Sequence, residues 1–552
     1  MSAQGKPARA DSGGTESVDG AAGLNGIARA ADRLALSFSR RWPIVVSAWL
    51  CAVVFSMAGY SRQKPLWADE ILFRWVATSR TIRDIWRALP LGLNGDPPLT
   101  QLVAHGLTSL LGAGPLVLRL PSIAGVTIML LCLFLTLRIY VGALYAAPCL
   151  ALPFCTGLAA YGYEARPYGL LYGCLGAAIY CWAKIGDDRQ NRAIWNAAFG
   201  VALAAALGCH FYSVFALPAF CLGEAVRTRR RRTVSWPTLG ALFAASATLV
   251  FYFPIMAGMR QYSNAYFGRP HLGSVVDFAN VNLNGFGLPL FAFLGLAGAL
   301  AVFGFPSAPG AGNGPASHFC EITALALGFL LLPLLGWAAG VVVLKAFVDR
   351  YVLHGLFGVY LLLPLLAGRI FRFDRVLGLV LALACACQGL VFMARGAEGA
   401  FKAPDPLRPA TYGGARPVDL TLSDDALTAL PGDVVVTDFH VFLQMVDHSP
   451  RLKTKCIFLW DPEKERRYTG SDVMSRMSRN GASVGMFRSE PWNGYGNRDK
   501  EFLLLAKPSS ETEVRGWLRA YLQSSGRYGE VVKQVGQYVV VAIKPARPPD
   551  AY

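Results

Sequence analysis

The 552-residue chain reads as a mainly α, polytopic membrane protein with a small α/β domain at its C-terminal end, on three observations. First, 54% of its residues are hydrophobic, only 16% are charged, and the mean hydropathy is +0.39. A soluble domain carries about 25% charged residues, so this chain has too little polar surface to face water all round. Second, apolar runs of roughly 18–24 residues, the length that crosses a bilayer as a helix, recur between residues 42 and 394. Third, the pattern changes after residue 395. Val434-Val435-Val436 and Tyr538-Val539-Val540-Val541-Ala542 predict strands there, and Glu511 to Ser524 predicts an amphipathic helix with Val514, Trp517, Leu518 and Tyr521 on one face.

The net charge of +17 does not point to nucleic acid. Much of the excess lies in short loops between apolar runs, as at Arg227, Arg229, Arg230, Arg231 and Arg232, which is the positive-inside pattern. Of the 12 cysteines only Cys456 lies in the polar C-terminal part, so that part closes no internal disulfide. Cys385 and Cys387 sit in an apolar run without histidine companions and read as packing.

Residues 1–41 begin Gly/Ala/Ser-rich and end in Arg29, Arg33, Arg40 and Arg41, the pattern of a disordered cytoplasmic tail before an uncleaved first helix at 42–60. Residues 61–118 form a long first outer loop. Within it, 99–112 is hydrophobic but only about 14 residues long, which suits an interfacial segment. Leaving that segment out of the count places Arg138, Lys184, the Arg227–Arg232 run and Arg369/Arg372/Arg375 all on the inner side. The further helices are then expected at 119–138, 141–160, 167–184, 193–209, 211–226, 236–257, 284–305, 320–343, 351–368 and 376–394, about eleven in all. An odd count puts the α/β domain, 396–552, outside an inner (plasma) membrane, with residues 42–395 as the membrane domain. No Gly-rich nucleotide loop and no internal repeat is present.

Polar residues from distant stretches gather on the outer face in this arrangement. They are Asp69 and Glu70, then Asp96 before Pro97-Pro98-Leu99, Arg119 in Arg119-Leu120-Pro121-Ser122, Glu164 and Arg166 in Glu164-Ala165-Arg166-Pro167-Tyr168, and Lys345, Arg350 and Tyr351. Ionisable groups at helix ends facing one compartment mark a functional site by default. Each also has a plain reading: a solvated loop pair for Asp69-Glu70, a turn initiator for Asp96, lipid-phosphate anchors for the arginines, and packing for His210 and His354.

In their order and topology these short motifs resemble the GT-C class of integral-membrane glycosyltransferases. The resemblance is to the branch containing protein O-mannosyltransferases, lipid A aminoarabinose transferases and rhizobial galacturonosyltransferase-like proteins (glycosyltransferase family 39-like), and it covers about 40–395. Where that family often has a His before Pro-Pro and an aromatic after the Leu, this chain has Asp96 and Thr100. The resemblance implies transfer of a sugar from a polyprenyl-phosphate donor to a hydroxyl of a lipid, glycan or protein acceptor at the outer face, with inversion. It casts Asp69 as general base, Glu70 as its neighbour orienting the surroundings, Arg119 as a brace for the pair, and Arg350, Lys345 and Arg166 as cations for the departing phosphate. No cofactor is implied. Asp69, Glu70, Asp96 and Glu164 offer oxygen ligands for a divalent cation, but no spacing demands a metal. The competing class is a polytopic transporter or lipid flippase, which usually carries inverted repeats and charges near the bilayer midplane.

Overall fold

The computed structural model describes residues 16–188, 190–265, 268–283, 287–304, 315–402, 420–495, 501–506, 516–525, 527, 529–536 and 538–544. Among them, eight helices are long and apolar enough to cross a membrane: Arg29–Gln63, Pro115–Leu150, Tyr168–Asp187, Arg192–Cys209, Trp236–Tyr262, Phe319–Leu344, Asp349–Ile370 and Arg375–Phe401. A ninth forms if the pair Ser274–Asn282 and Gly287–Val302, bent by 99°, counts as one broken span. The first helix begins at Glu16, so residues expected to be a disordered tail are helical from that point, with Pro43 inside the helix.

Eleven continuous spans are therefore not observed, and two of the expected ones account for much of the difference. The run 141–160 has the composition of a span but not the continuity. Gly142 adopts φ 76°, outside the helical region, and short helical pieces follow, with Pro148 and Pro153 opening 3₁₀ turns. Proline removes an amide donor and clashes with the preceding turn, so a second straight helix cannot form. These pieces still run the depth of the bundle. Tyr145 Oη donates to the Asp374 carbonyl at one end, and the Tyr163 ring stacks on Tyr60 at 4.9 Å at the other. The run 211–226 likewise divides into a 3₁₀ turn, Phe211–Ala216, and a helix, Leu217–Arg231, whose last turn is arginine.

Contacts between successive segments define two ends. One holds Arg138 over the Trp42 ring (4.4 Å), Arg227 on the Trp182 carbonyl, Arg231 on Glu321 and Arg375 on Asp32. The other holds Arg119 on the Ser61 carbonyl and Gln63 on the Gly399 carbonyl. Small residues let the helices meet at backbone distance. A Cβ on Gly125 would lie 2.1 Å from the Gly169 carbonyl oxygen, and one on Gly59 would lie 1.9 Å from that of Gly396.

At the second end the loop after the first helix folds into helices Ala68–Ala77, Ile82–Ala88 and Leu99–Leu111. The last has 13 residues, about 20 Å at 1.5 Å per residue, short of a bilayer's hydrocarbon depth. The C-terminal domain docks on this loop. Its mixed sheet has strands β1 (Val434–Val436), β2 (Cys456–Trp460), β3 (Ser489–Pro491), β4 (Phe502–Ala506), β5 (Gly529–Val535) and β6 (Tyr538–Ile543) in the order β3-β2-β1-β4-β6-β5. β3, β2, β1 and β4 are parallel, and β6 pairs antiparallel with β4 and β5. The expected helix at 511–524 is seen as Trp517–Ser524; residues 511–515 lie outside the described residues. Phe439, Phe442 and Leu443 share one apolar core with Ile71, Leu72 and Phe73 of the loop, and Arg74 pairs with Asp447 across the seam.

Candidate active site

Asp69 and Glu70 are consecutive in the first turn of helix Ala68–Ala77, yet they face different surroundings. Glu70 is fully buried. Arg119, also fully buried, grips it with a two-pronged fork: Nε donates to Oε1 at 2.8 Å and Nη2 to Oε2 at 2.7 Å. The rest of that guanidinium donates to the carbonyls of Ser61, Lys64 and Pro65, and the Ala165 amide donates to Glu70 Oε1 at 2.6 Å. Burial alone would raise the Glu70 carboxyl, but the Arg119 charge and fork, with Lys64 nearby, hold it below its usual value. Lys64 in turn pairs with Glu164, whose carboxyl burial pushes up against that cation. Glu70, Arg119, Lys64 and Glu164 thus form a closed clamp between the end of the first span, the loop that follows it and the 164–168 turn.

Asp69 remains partly exposed, at 19% for its side chain. The same oxygen, Oδ2, has Arg350 Nη2 at 3.2 Å and Arg166 Nη2 at 3.6 Å. Arg350 also lies over the rings of Trp67 (5.7 Å) and Tyr351 (5.6 Å), contacts that suit a delocalised, weakly hydrated cation. Arg166 Nη1 donates to Asn94 Oδ1 at 2.9 Å, and its Nη2 lies 3.9 Å from Asp96 Oδ2. Although burial opposes its charge, Asp69 and Asp96 hold Arg166 still more firmly protonated.

Asp96 is 3% exposed, and burial, reinforced by the Asp69 charge and opposed by Arg166 and Arg350, pushes its carboxyl up to about 7. Its other oxygen lies 3.6 Å from His210 Nε2. His210 contacts the rings of Tyr168 (5.4 Å) and Tyr351 (5.1 Å).

Of the residues singled out from the sequence, Asp69, Asp96, Arg166, Arg350 and Tyr351 therefore converge, while Glu70, Arg119 and Glu164 lie in the adjacent clamp. Lys345 stands apart: it sits at φ 55° and its Nζ donates to the Val341 carbonyl at 2.9 Å. His210, which the sequence reads as packing, completes the site with Tyr168 of the 164–168 motif and with Asn94, Lys64 and Trp67, which carry no signal of their own. Of the four carboxylates offered to a divalent ion, Glu70 and Glu164 are occupied by Arg119 and Lys64. Among the described residues no group of three or more His, Cys, Asp or Glu is placed to share a metal.

Residues 95–253 match the family model of dolichyl-phosphate-mannose-protein mannosyltransferase. That stretch supplies Asp96, Arg119, Glu164, Arg166 and His210 and supports a GT-C-like fold for the membrane domain; Asp69, Glu70 and Arg350 lie outside it. A comparison with curated proteins returns no significant match. Among solved structures the chain is similar to ArnT from Cupriavidus metallidurans in the apo state, with 14% identity, 91% of this chain and 98% of that one covered, and a TM-score of 0.48. The same protein bound to undecaprenyl phosphate gives 13% identity, the same coverage and a TM-score of 0.48. The Archaeoglobus fulgidus oligosaccharyltransferase tethered with an acceptor peptide gives 9% identity, 93% and 75% coverage, and a TM-score of 0.43.

Proposed function

We propose that the chain is a glycosyltransferase that moves a sugar from a polyprenyl-phosphate donor to an acceptor hydroxyl at the outer face of the cytoplasmic membrane. The observation that carries this reading is the meeting of one carboxylate with two guanidiniums, Asp69 with Arg350 and Arg166, at the loop-bearing end of a membrane bundle. A hydroxyl is a weak nucleophile and needs a base within about 3 Å as it attacks. Asp69 serves as that base. The bond from the sugar's anomeric carbon to the lipid phosphate breaks as the new C–O bond forms on the opposite face, which inverts the centre. The departing phosphate gains negative charge, and planar guanidiniums answer it with paired N–H donors.

At rest Asp69 offsets part of the charge of Arg166 and Arg350 and leaves one positive charge over. A donor phosphate competes for both arginines, and drawing them toward it leaves Asp69 the stronger base at the moment the acceptor arrives. Glu70 and Arg119 position this assembly without reacting. On this reading residues 42–395 are the catalytic membrane domain, with the loop 61–118 and the domain 396–552 outside. The charges gather at one end of the bundle rather than along its middle, which favours chemistry at the surface over alternating access.

The test is the lipid-linked glycan profile of a strain lacking the chain. Accumulation of one polyprenyl-phosphate sugar together with loss of one glycan supports the reading, and an unchanged profile overturns it.

A further inference from the structure

The transfer chemistry leaves Asp96 and His210 without a task, and their surroundings are specific. His210 Nδ1 accepts the Tyr212 amide proton at 3.1 Å, so in a neutral ring the remaining proton sits on Nε2, the nitrogen that lies 3.6 Å from Asp96 Oδ1. Burial first, then the charges of His354, Arg166 and Arg350, push His210 well below its usual value and keep it in that neutral tautomer. The contact is longer than a full hydrogen bond, but it turns the positive end of an N–H dipole toward the carboxylate.

Around Asp96, several buried side-chain atoms have no hydrogen-bond partner: Asp96 Oδ2, Asn94 Nδ2, Arg166 Nε and Tyr168 Oη. They belong to two segments, 94–96 and 166–168, that the Arg166–Asn94 hydrogen bond holds together. Buried polar groups are normally paired, and leaving them unpaired is costly, so such a set marks a place where a ligand completes the pairing. Acceptor, amide donor, guanidinium donor and hydroxyl alternate here beside the rings of Tyr168, His210 and Tyr351. A sugar ring fits that chemistry: its hydroxyls donate and accept, and its C–H face lies on aromatic carbon. With Asp96 ionised, as it is above about pH 7, a carboxylate on the ring at that position would set two acceptors against each other, so neutral and acidic sugars are compared at about pH 8.

We propose, building on the lipid-linked-sugar reading above, that Asp96 recognises a pair of hydroxyls on the transferred sugar, that His210 is its positioning residue, and that the sugar is neutral rather than a uronic acid. The test is calorimetric titration of the purified full chain in nanodiscs with three probes: bare polyprenyl phosphate, the same lipid carrying a neutral hexose, and the same lipid carrying a hexuronic acid. Wild type binds the hexose lipid about tenfold more tightly than the bare lipid, and the hexuronic lipid no more tightly than the bare one. Asp96→Asn and His210→Phe still bind bare lipid, which reports intact folding, and lose most of the hexose increment, taken as the ratio of hexose-lipid to bare-lipid affinity within each variant. His210→Gln, which retains an N–H near the position of Nε2, restores it. Equal binding of the hexose and hexuronic lipids, or an increment untouched by Asp96→Asn, overturns the assignment. If wild type binds none of the three lipids, the polyprenyl-phosphate reading fails and this one falls with it.

Discussion

A carboxylate with guanidinium nitrogens at 3.2 and 3.6 Å is a poor base until those cations are drawn away, so the role given to Asp69 depends on what reaches Arg166 and Arg350. Asp69→Asn keeps the shape and removes the basicity. Turnover should fall by roughly a hundredfold or more while donor binding is kept or tightened, because the freed arginines no longer share a carboxylate, and near-wild-type transfer in membranes would take Asp69 out of the reaction. Arg350→Lys separates a phosphate clamp from a lipid anchor: Lys anchors as well but lacks the planar fork, so a tenfold loss at limiting donor, about 1.4 kcal/mol, is expected and full activity would return Arg350 to anchoring. Asp96 adds a pH signature. Burial raises its carboxyl from 3.8 to about 7, so the folded state holds the proton more tightly than the unfolded one. Its stabilising share is complete below the unfolded value and disappears as pH rises through about 7. Tm should therefore drop from about pH 5 to about pH 8 more steeply in wild type than in Asp96→Asn; equal slopes would contradict the shift. The membership of this site was largely legible in the sequence, because Asp69, Asp96, Arg166 and Arg350 stand in short motifs. The roles of Asp69, Glu70 and Arg119 came only with the family resemblance, Lys345 was expected among the phosphate cations but stands apart, and His210 was read as packing. Whether Asp69 or Glu70 reacts depends on which one Arg119 reaches, and His210 matters only because a distant loop brings Asp96 to it.

At the scale of elements, hydropathy reports composition and is blind to continuity. The run 141–160 is as apolar as its neighbours, and only Gly142, Pro148 and Pro153 betray that it crosses in pieces. The bend between Ser274–Asn282 and Gly287–Val302 was equally hidden, since nothing in an apolar run fixes its angle. The short helix Leu99–Leu111 was legible, because length alone distinguishes it from a span. What joins these elements at the site end is the clamp of Arg119 on Glu70 and on three carbonyls of the first span's exit. Removing one member of a buried ion pair leaves the other charged and unsatisfied, at a cost of about 3–5 kcal/mol. Arg119→Ala should accordingly lower Tm and the yield of folded protein, in contrast to the site variants Asp69→Asn and Arg350→Lys. A variant as stable as wild type would show that the clamp does not hold the loop.

The whole molecule sets where the chemistry happens. Arg138, Arg227, Arg231 and Arg375 lie at one end of the bundle, and Asp69, Arg166, Arg350 and the docked C-terminal domain lie at the other. Arginine-rich loops stay on the cytoplasmic side of a membrane, which is the ground for the proposed placement of the site and the sheet domain outside. This orientation makes sense of the donor: nucleotide sugars are confined to the cytoplasm, while a sugar on a polyprenyl phosphate is already in the membrane. The sheet domain shares its core with the loop helix that carries Asp69, so a reporter on the C-terminal domain also reports the compartment of the site. Alkaline phosphatase, which folds only outside, should be active when fused after residue 544, and green fluorescent protein, which matures only in the cytoplasm, should be dark there. The same pair fused in the loop after Arg232 should give the opposite result. A fluorescent C-terminal fusion would reverse the orientation and remove the ground for an outer-face donor, whatever the arrangement of Asp69 and its arginines.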